Sequence, residues 1–381
     1  MLAWTIYISF IGAALVALVP AEKPGVARMT ALTTALLGFV TTLVAIAQGQ
    51  ATGALQDVVN VSWIAALGAR YHLAADGISV VLLLLTGIAA ITGVLFSWNI
   101  EKRVNQFFAL YLTLIGGVYG VFLSFDLFLL FVFYEIAIIP KYFLIAIWGS
   151  TNKEYGAMKL ALYSFIGSAM VMLGLIAAYV VAGGGTFELT TLAQYPFTEG
   201  FQRWAFPLVF IGFAILAGIW PFHTWAPTGH VAAPTAASML LAGVVMKLGA
   251  YGALRVAMTM FPAGLAAWRN ELALLAVIGI VYGAAVALIQ QDFKFVIGYS
   301  SVSHMGFVLL GMMTLTQIGL SGAVLQMFSH GIIAGLLFAV VGRMVYDRTH
   351  TRELNALEGM NLARSLPFAA VTFVLAAVAS M

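Results

Sequence analysis

Long apolar runs separated by short polar stretches make up most of the chain. A helix that crosses a hydrocarbon core about 30 Å thick needs about 20 apolar residues, so each long run predicts one transmembrane helix. The runs that are long enough cover residues 2–20, 29–48, 77–98, 107–123, 126–148, 158–182, 204–225, 235–258, 271–289, 295–315 and 318–345. A twelfth run begins near Pro367 and is interrupted at Met381. The pattern predicts an all-α polytopic membrane protein with eleven full spans and a partial twelfth, in a chain truncated at its C-terminus.

Composition supports this class of protein. Of the 381 residues, 63% are hydrophobic and 8% are charged, against about 25% charged in an ordinary globular domain. The chain has no cysteine, which excludes thiolate-bound zinc, cysteine-bound iron–sulfur clusters and disulfides within it. Basic residues stand singly between apolar runs and form no basic patch, so we expect the lipid bilayer, and no nucleic acid, as a partner.

The distribution of Lys and Arg between alternate loops predicts the orientation of the spans, because cytoplasmic loops are enriched in these residues. One side carries Lys23, Arg28, Lys102, Arg103, Lys153, Lys159, Lys294, Arg343, Arg348, Arg352 and Arg364, and the other carries Arg70, Arg203, Arg255 and Arg269. We therefore expect the N-terminus on the non-cytoplasmic side. Two basic residues, Lys141 and Lys247, and one acidic residue, Glu135, fall well inside spans.

These three residues need an explanation, because a charged side chain at the bilayer centre costs at least about 2.5–3.5 kcal/mol. One interpretation is a proton or ion path, lined by groups that titrate when they are buried. The other is a static ion pair, which seldom stabilises a protein more than apolar residues do. In a straight helix Glu135 and Lys141 would be about 120° apart around the axis and about 9 Å apart along it, so no direct salt bridge is expected. Pro140 between them can kink the helix, and both charges can line one hydrated cavity.

The segment IWPFHTWAPTGHVAAPT, residues 219–235, places three prolines around His223 and His230. Prolines at this spacing interrupt a helix. One interpretation is a broken transmembrane helix, which marks binding sites in transporters because its non-helical backbone lines a cavity. The alternative is a span that ends at Trp220 and continues as an interfacial loop.

Two further histidines lie inside predicted spans, His304 in DFKFVIGYSSVSHMGFVLL and His330 in LQMFSHGIIAGLLF. Histidine titrates near neutral pH and can relay protons. A lone buried histidine is more often a packing residue, but two on consecutive helices, each beside serine, favour a hydrated polar chain. The sequence contains neither HExxH nor a carboxylate at ligand spacing, so no metal site is predicted.

Four segments together carry a family resemblance: FVFYEIAIIPKYFLIAIWG, PFHTWAPTGHVAAPTAASMLLAGVVMKLGAYGALR, DFKFVIGYSSVSHMGFVLLG and QMFSHGIIAGLLF. They resemble the subunit M family of proton-pumping NADH:quinone oxidoreductase, respiratory complex I, whose mitochondrial counterpart is subunit 4. More broadly, they resemble the antiporter-like family shared with multisubunit cation/proton antiporters and membrane-bound hydrogenases. The resemblance covers most of residues 76–381 and implies an antiporter-like fold with inverted five-helix repeats and a broken seventh helix.

The resemblance also implies roles for residues of this chain. The family's essential helix-five glutamate corresponds to Glu135, its helix-eight lysine to Lys247, and its polar-axis histidines to His304 and His330. Protons are expected to move along this axis, driven by quinone reduction elsewhere in the complex. The implied regions are residues 1–106 with helices 1–3, residues 107–258 with the first repeat, and residues 259–381 with an incomplete second repeat.

The sequence departs from the family pattern in two places. The family's seventh helix normally carries a lysine five residues before the proline of its PxHxW motif, and this position is Leu216 here. Lys141 instead follows the helix-five proline, where the family more often has an apolar residue. We therefore predict that Lys141 replaces the missing lysine as the basic partner of Glu135. The family also continues beyond a VASM-like segment with a second broken helix that forms the exit of the path.

The sequence contains neither GxGxxG after a strand nor a Walker loop, so no cofactor is expected in this chain. The resemblance assigns NADH, FMN, iron–sulfur clusters and quinone to partner subunits. The chain is then a translocase subunit of a redox enzyme in a prokaryotic plasma membrane, beside other membrane-arm subunits that include antiporter-like neighbours. The alternatives are a subunit of a cation/proton antiporter or of a membrane-bound hydrogenase, a free-standing carrier, and a truncated scaffold subunit.

Overall fold

A computed structural model describes residues 1–49, 53–358 and 360–379 of the chain. Most of the described residues are helical, and two strands follow the second helix. The helices are α1 (Ala3–Ala17), α2 (Pro24–Ala47), α3 (Gly77–Phe96), α4 (Val104–Leu123), α5 (Leu127–Trp148), α6 (Lys153–Val181), α7 (Leu189–Gln194), α8 (Glu199–Ala217), α9 (Trp225–Ala232), α10 (Thr235–Met260), α11 (Pro262–Leu288), α12 (Phe293–Met313), α13 (Gln317–Thr349), α14 (Leu354–Glu358), α15 (Leu362–Ser365) and α16 (Pro367–Ala379). The strands are β1 (Gln56–Ile64) and β2 (Ala69–Ala75).

Within the described residues, ten helical segments are long and apolar enough to cross a membrane. Each of them overlaps one of the predicted spans, although several ends differ, by as much as nine residues where the helix begins at Pro262 and the predicted span at 271. The first predicted span, residues 2–20, corresponds to α1, which has only 15 residues. The all-α polytopic class is confirmed. The count of eleven spans, the inverted repeats and the regions divided after residues 106 and 258 are compatible with the structure and remain predictions.

Aspartate side chains fix the beginning of three spans. The first N–H groups of a helix have no partner within it, and a side-chain oxygen just before the helix can accept from one of them. Asp76 accepts from the backbone N–H of Ser79 in α3, Asp126 from that of Leu129 in α5, and Asp292 from that of Lys294 in α12. Each aspartate precedes an apolar run, so the cap determines where the span starts.

The seventh predicted span is interrupted, as the prolines indicate. α8 ends at Ala217, a short turn of 3₁₀ helix covers Phe222–Thr224, and α9 continues to Ala232. Trp225 and His230 on α9 are fully buried, so this half is packed inside the protein and is not an interfacial loop. The predicted break in this helix is therefore confirmed, and its role as a site stays a prediction.

The antiparallel pair of β1 and β2 was not predicted from the sequence. Its turn passes through Gly68, whose φ of +63° lies in the left-handed region. A Cβ atom at this position would lie 1.9 Å from the carbonyl oxygen of Gly185, so only glycine fits. Most residues of β1 are exposed or partly exposed on both faces, and the alternation that identifies a half-buried strand is absent.

Short backbone bridges show which links share an end of the bundle. Two of them join β2, the α4–α5 link and the link before α7 at one end: Leu73–Ser124 and Asp126–Glu188. A third bridge, Asp292–Glu353, joins the α11–α12 link to the segment after α13. Because consecutive spans alternate in direction, this third bridge lies at the opposite end.

α6 and α8 approach each other closely at Gly167 and Gly212. A Cβ atom on either glycine would lie 2.6 Å from the carbonyl oxygen of the other. Small residues let transmembrane helices approach to backbone distance and gain van der Waals contact. The contact fixes the first half of the interrupted span against α6.

Replacing Gly212 with alanine is expected to destabilise the protein, because the added methyl group has no space between α6 and α8. Overpacking of this kind costs about 1–3 kcal/mol. The thermal unfolding midpoint of the detergent-solubilised protein should fall. Gly200→Ala is the matched control on the same helix, since a Cβ there meets nothing within 4 Å. An unchanged midpoint in Gly212→Ala would contradict the close packing.

The absence of cysteine allows a direct test of the predicted orientation. Val61→Cys in the hairpin and Thr151→Cys in the α5–α6 link place single thiols at exposed positions at opposite ends of the bundle. Intact cells treated with a membrane-impermeant maleimide should label residue 61 only, because the excess of basic residues predicts that the Thr151 side is cytoplasmic. Labelling of residue 151 alone would reverse the orientation.

Candidate functional site

Lys247 lies in the most irregular part of α10. Two π-helical turns, Leu241–Val245 and Ala253–Ala257, flank it within the span. Such turns inside α-helices occur frequently at functional sites. The Lys247 side chain is fully buried. Its Nζ donates to the carbonyl oxygen of Ala242 at 2.5 Å and lies 2.7 Å from Nδ1 of His330.

His330 on α13 and His304 on α12 continue from Lys247. Their rings stack with centroids 5.1 Å apart. An ammonium group can only donate, so Nδ1 of His330 accepts from a charged Lys247 and the hydrogen of the neutral ring is on Nε2. Nδ1 of His304 lies 2.9 Å from the amide nitrogen of Gln326, which also donates. The structure thus brings three of the predicted residues together and adds Gln326, which the sequence analysis did not identify.

A second buried ammonium group belongs to Lys294, whose assignment to a loop was wrong. Asp292 caps α12, so Lys294 lies in the first turn of the helix and is 4% exposed. Its Nζ donates to the carbonyl oxygen of Ala233 at 2.9 Å and contacts Oγ of Ser238 at 3.4 Å. Ala233 follows the last residue of α9, where carbonyl groups have no helical partner. The sequence contained one sign that Lys294 could belong to a helix: it directly precedes the predicted start of a span at residue 295.

His230 on α9 lies near both buried ammonium groups. It is fully buried, and among the described residues neither of its ring nitrogens has a hydrogen-bond partner. It interacts electrostatically with Lys247 and Lys294. Its carbonyl oxygen accepts from the Ser238 hydroxyl at 2.7 Å. The end of the broken helix is therefore connected to α10 and lies beside the two cations.

Glu135 and Lys141 form a separate group on α5, which remains helical through Pro140. Lys141 is 1% exposed, and its Nζ has no hydrogen-bond partner within the described residues. Glu135 is partly buried, and its carboxylate interacts with the Ser168 hydroxyl and the Lys141 ammonium. Across the described part of the chain, no salt bridge joins Glu135 to Lys141, as their spacing predicts. The described residues also contain no group of three or more His, Asp or Glu arranged to hold a metal ion.

Comparisons with known proteins show which proteins this chain is similar to. Residues 124–381 match the family model described as NADH:quinone oxidoreductase/Mrp antiporter, TM. NADH-quinone oxidoreductase subunit M of Rhodobacter capsulatus is 38% identical over 369 residues, which cover 93% of this chain and 71% of that relative. Among solved structures, a chain of respiratory complex I from Thermus thermophilus with bound NADH gives a TM-score of 0.85 at 25% identity, covering 100% of this chain and 86% of that chain. A chain of the Mrp complex from a Dietzia species gives 0.86 at 20% identity, covering 99% and 70%, which is a likeness in fold.

The family match spans more than half of the residues and includes every predicted site residue, from Glu135 on α5 to His330 on α13. The Rhodobacter relative extends the similarity to most of the remaining N-terminal helices. The chain therefore belongs to the NADH:quinone oxidoreductase/Mrp antiporter membrane family.

Proposed function

We propose that this chain is a proton-translocating membrane subunit of an NADH:quinone oxidoreductase complex. The observation that carries the proposal is the direct contact between buried Lys247 and His330 at 2.7 Å, inside a membrane span. A buried cation within hydrogen-bonding distance of a histidine is a poor packing element but a suitable proton donor and acceptor pair. The 38% identity to a protein named NADH-quinone oxidoreductase subunit M favours that complex over others.

Lys247, His330 and His304 divide the proton transfer into short steps. A proton on Nζ of Lys247 passes to Nδ1 of His330, and the hydrogen on Nε2 of the same ring can then leave from its other side. His304 stacks on this ring and is the next acceptor in the proposal: the proton arrives at its Nδ1, directly or through water, as the Gln326 amide N–H that this atom accepts from moves away. Gln326 holds Nδ1 of His304 as an acceptor, so His304 begins in a defined tautomer. Lys294 and His230 extend this series of residues towards the end of the bundle where α9 terminates.

Glu135 and Lys141 are proposed as the charge pair that controls the first half of the path. Support comes from the burial of Lys141 without a hydrogen-bond partner in the described residues and from its electrostatic interaction with Glu135. The electrostatic energy of the Lys141 ammonium group changes strongly when a proton arrives at or leaves the Glu135 carboxylate, because few other groups compensate its charge. Lys141 then takes the part that the family assigns to a lysine at position 216.

The source of energy lies outside this chain in the proposal. NADH, FMN, iron–sulfur clusters and quinone are assigned to partner subunits, and this chain contributes proton-carrying residues within the membrane arm. The expected partners are other membrane-arm subunits, including antiporter-like neighbours, in a prokaryotic plasma membrane. The expected role is thus coupling to a redox reaction without a redox centre of its own.

A cation/proton antiporter subunit is the second candidate. The matching family description names the Mrp antiporter, and the fold likeness to the Mrp complex is as high as that to complex I. The two functions differ in partners: purification with NADH-oxidising and quinone-binding subunits supports the first, and purification with membrane subunits alone supports the second.

Removing either of two proton carriers should slow pumping strongly. Lys247→Ala and Glu135→Gln are each expected to slow NADH-driven proton uptake by inverted vesicles about a hundredfold, since a positioned proton-transfer group contributes about 10²–10⁴-fold. Lys102→Ala and Glu101→Gln, both in an exposed link, are matched controls that should pump normally. Native gels check assembly of each variant. Normal pumping by an assembled Lys247→Ala complex would refute the proposed path and leave a scaffold role.

The role of Lys141 has a separate test. Lys141→Leu should reduce pumping to the level of Glu135→Gln, because the carboxylate loses its basic partner. Position 216 is where the family carries its lysine. Leu216 is 1% exposed on α8, so Leu216→Lys places a buried cation at that position. The double variant Lys141→Leu/Leu216→Lys is expected to recover pumping, and Lys141→Arg to retain part of it. Full activity of Lys141→Leu would show that no replacement has occurred.

A further inference from the structure

His72 on β2 lies outside the spans and has no part in the proposed path. It is 4% exposed, although it belongs to a hairpin whose other strand is largely exposed. Its Nδ1 lies 2.5 Å from Oε1 of Glu188, and its Nε2 lies 2.9 Å from Oδ1 of Asp57. Both ring nitrogens therefore face carboxylate oxygens.

This geometry defines the charge of the ring. An ionised carboxylate can only accept hydrogen bonds, so each ring nitrogen must carry a hydrogen to satisfy its partner. A neutral imidazole has one such hydrogen, whereas an imidazolium has two. The arrangement fits a protonated His72 held between two negative charges.

The backbone around His72 joins three segments that are far apart in sequence. The carbonyl oxygen of His72 accepts from the N–H of Phe125 at 3.0 Å. On the other side of the same link, Leu189 N–H donates to the carbonyl of Phe125 at 2.9 Å, and Leu127 N–H donates to that of Phe187 at 2.8 Å. The α4–α5 link thus lies between β2 and the segment before α7. The His72–Glu188 contact crosses over this link and ties its two neighbours together.

The enclosed link begins α5, the helix that carries Glu135 and Lys141. Asp126 in the link caps α5 through Leu129 N–H at 3.0 Å and accepts from Arg70 N–H at 2.9 Å. Any loosening of the three segments therefore reaches the first turn of α5.

The other charged groups around the ring do not replace its positive charge. The negative groups are Asp57 on β1, Glu188 before α7 and Asp126 in the link. Oε2 of Glu188 is buried without a hydrogen-bond partner among the described residues. Of the positive groups, Arg70 directs its guanidinium to Asn60, and Arg255 on α10 pairs with Asp76 and stacks over Phe125. Without its proton, His72 would leave the carboxylates of Asp57 and Glu188 without a cation between them, while Asp126 interacts electrostatically with Glu188.

We propose that His72 is a proton-binding positioning residue: as an imidazolium it clamps β2 and the segment before α7 around the beginning of α5, and loss of its proton releases the clamp. Burial alone would lower the pKa of His72, but hydrogen bonds to Glu188 and Asp57 and the charges of both carboxylates raise it above the ordinary value. A raised pKa in the folded state means that the stabilisation is complete below about pH 6.5 and is lost as the pH rises through the folded-state value. The clamp is therefore closed in acid and open in alkali.

The clamp is tested by hydrogen–deuterium exchange of the assembled complex between pH 6 and pH 9. Protection of residues 124–127 and 186–189, corrected for the intrinsic pH dependence of exchange, is expected to fall about threefold or more across this range. His72→Gln should give low protection at every pH. His350→Gln, an exposed histidine at the opposite end of the bundle, is the matched control and should behave like the wild type.

Asp57→Asn provides a second variant, at a side chain that is largely exposed. It removes one of the charges that stabilise the imidazolium and should shift the loss of protection to lower pH. Protection that is constant from pH 6 to pH 9, or an identical transition in His72→Gln, would overturn the proposal. The readout is local exchange rather than pumping, so its failure is distinct from a failure of the proposed function.

Discussion

A positive charge in hydrocarbon has no water to solvate it, and the protein itself must supply the oxygen or nitrogen atoms that take its place. This requirement shapes the centre of the structure. Lys247 obtains the carbonyl of Ala242, which lies in a π turn, and Nδ1 of His330. Lys294 obtains the carbonyl of Ala233, where α9 has ended. In a regular α-helix, the carbonyl groups already accept hydrogen bonds from N–H groups of the same helix. The interruptions in the helices are thus the means by which buried cations are accommodated.

The same requirement explains which parts could be predicted from sequence. An apolar run of sufficient length is helical in a membrane whatever its detailed contacts, because every backbone polar group must be satisfied within the segment. The spans and the all-α class followed from length alone, and the break around Pro221 followed from the missing N–H groups. Lys247, His304 and His330 stood out because they are polar residues in apolar runs. Their roles are inferred from the family resemblance, and the fold shows that the three side chains lie together.

Features that arise from contacts between distant segments were not predictable in this way. His72 and Glu188 are 116 positions apart, and no local pattern relates them. The hairpin has no alternating face, because it is packed by links from elsewhere in the chain and not by a core of its own. Lys294 was counted with a loop since it stands at the edge of an apolar run, and only the Asp292 cap and the end of α9 turn it inwards. Nothing in the sequence around Gln326 distinguishes it from other polar residues on helices. Only its contact with His304 in the fold identifies it.

The two π turns in α10 have a consequence for how this helix can change during evolution. A π turn contains about one residue more than an α turn, and it arises when a residue is inserted into an α-helix without displacing the rest. Deletion of one residue from a regular span rotates everything beyond it by about 100° and misplaces a whole face. In α10, a deletion within 253–257 would convert a wide turn into an ordinary one and leave both ends of the span in register, whereas a deletion within 241–245 would also disturb the Ala242 carbonyl that accepts from Lys247. Length variation by a single residue can thus be absorbed at 253–257, within a span that is almost entirely buried.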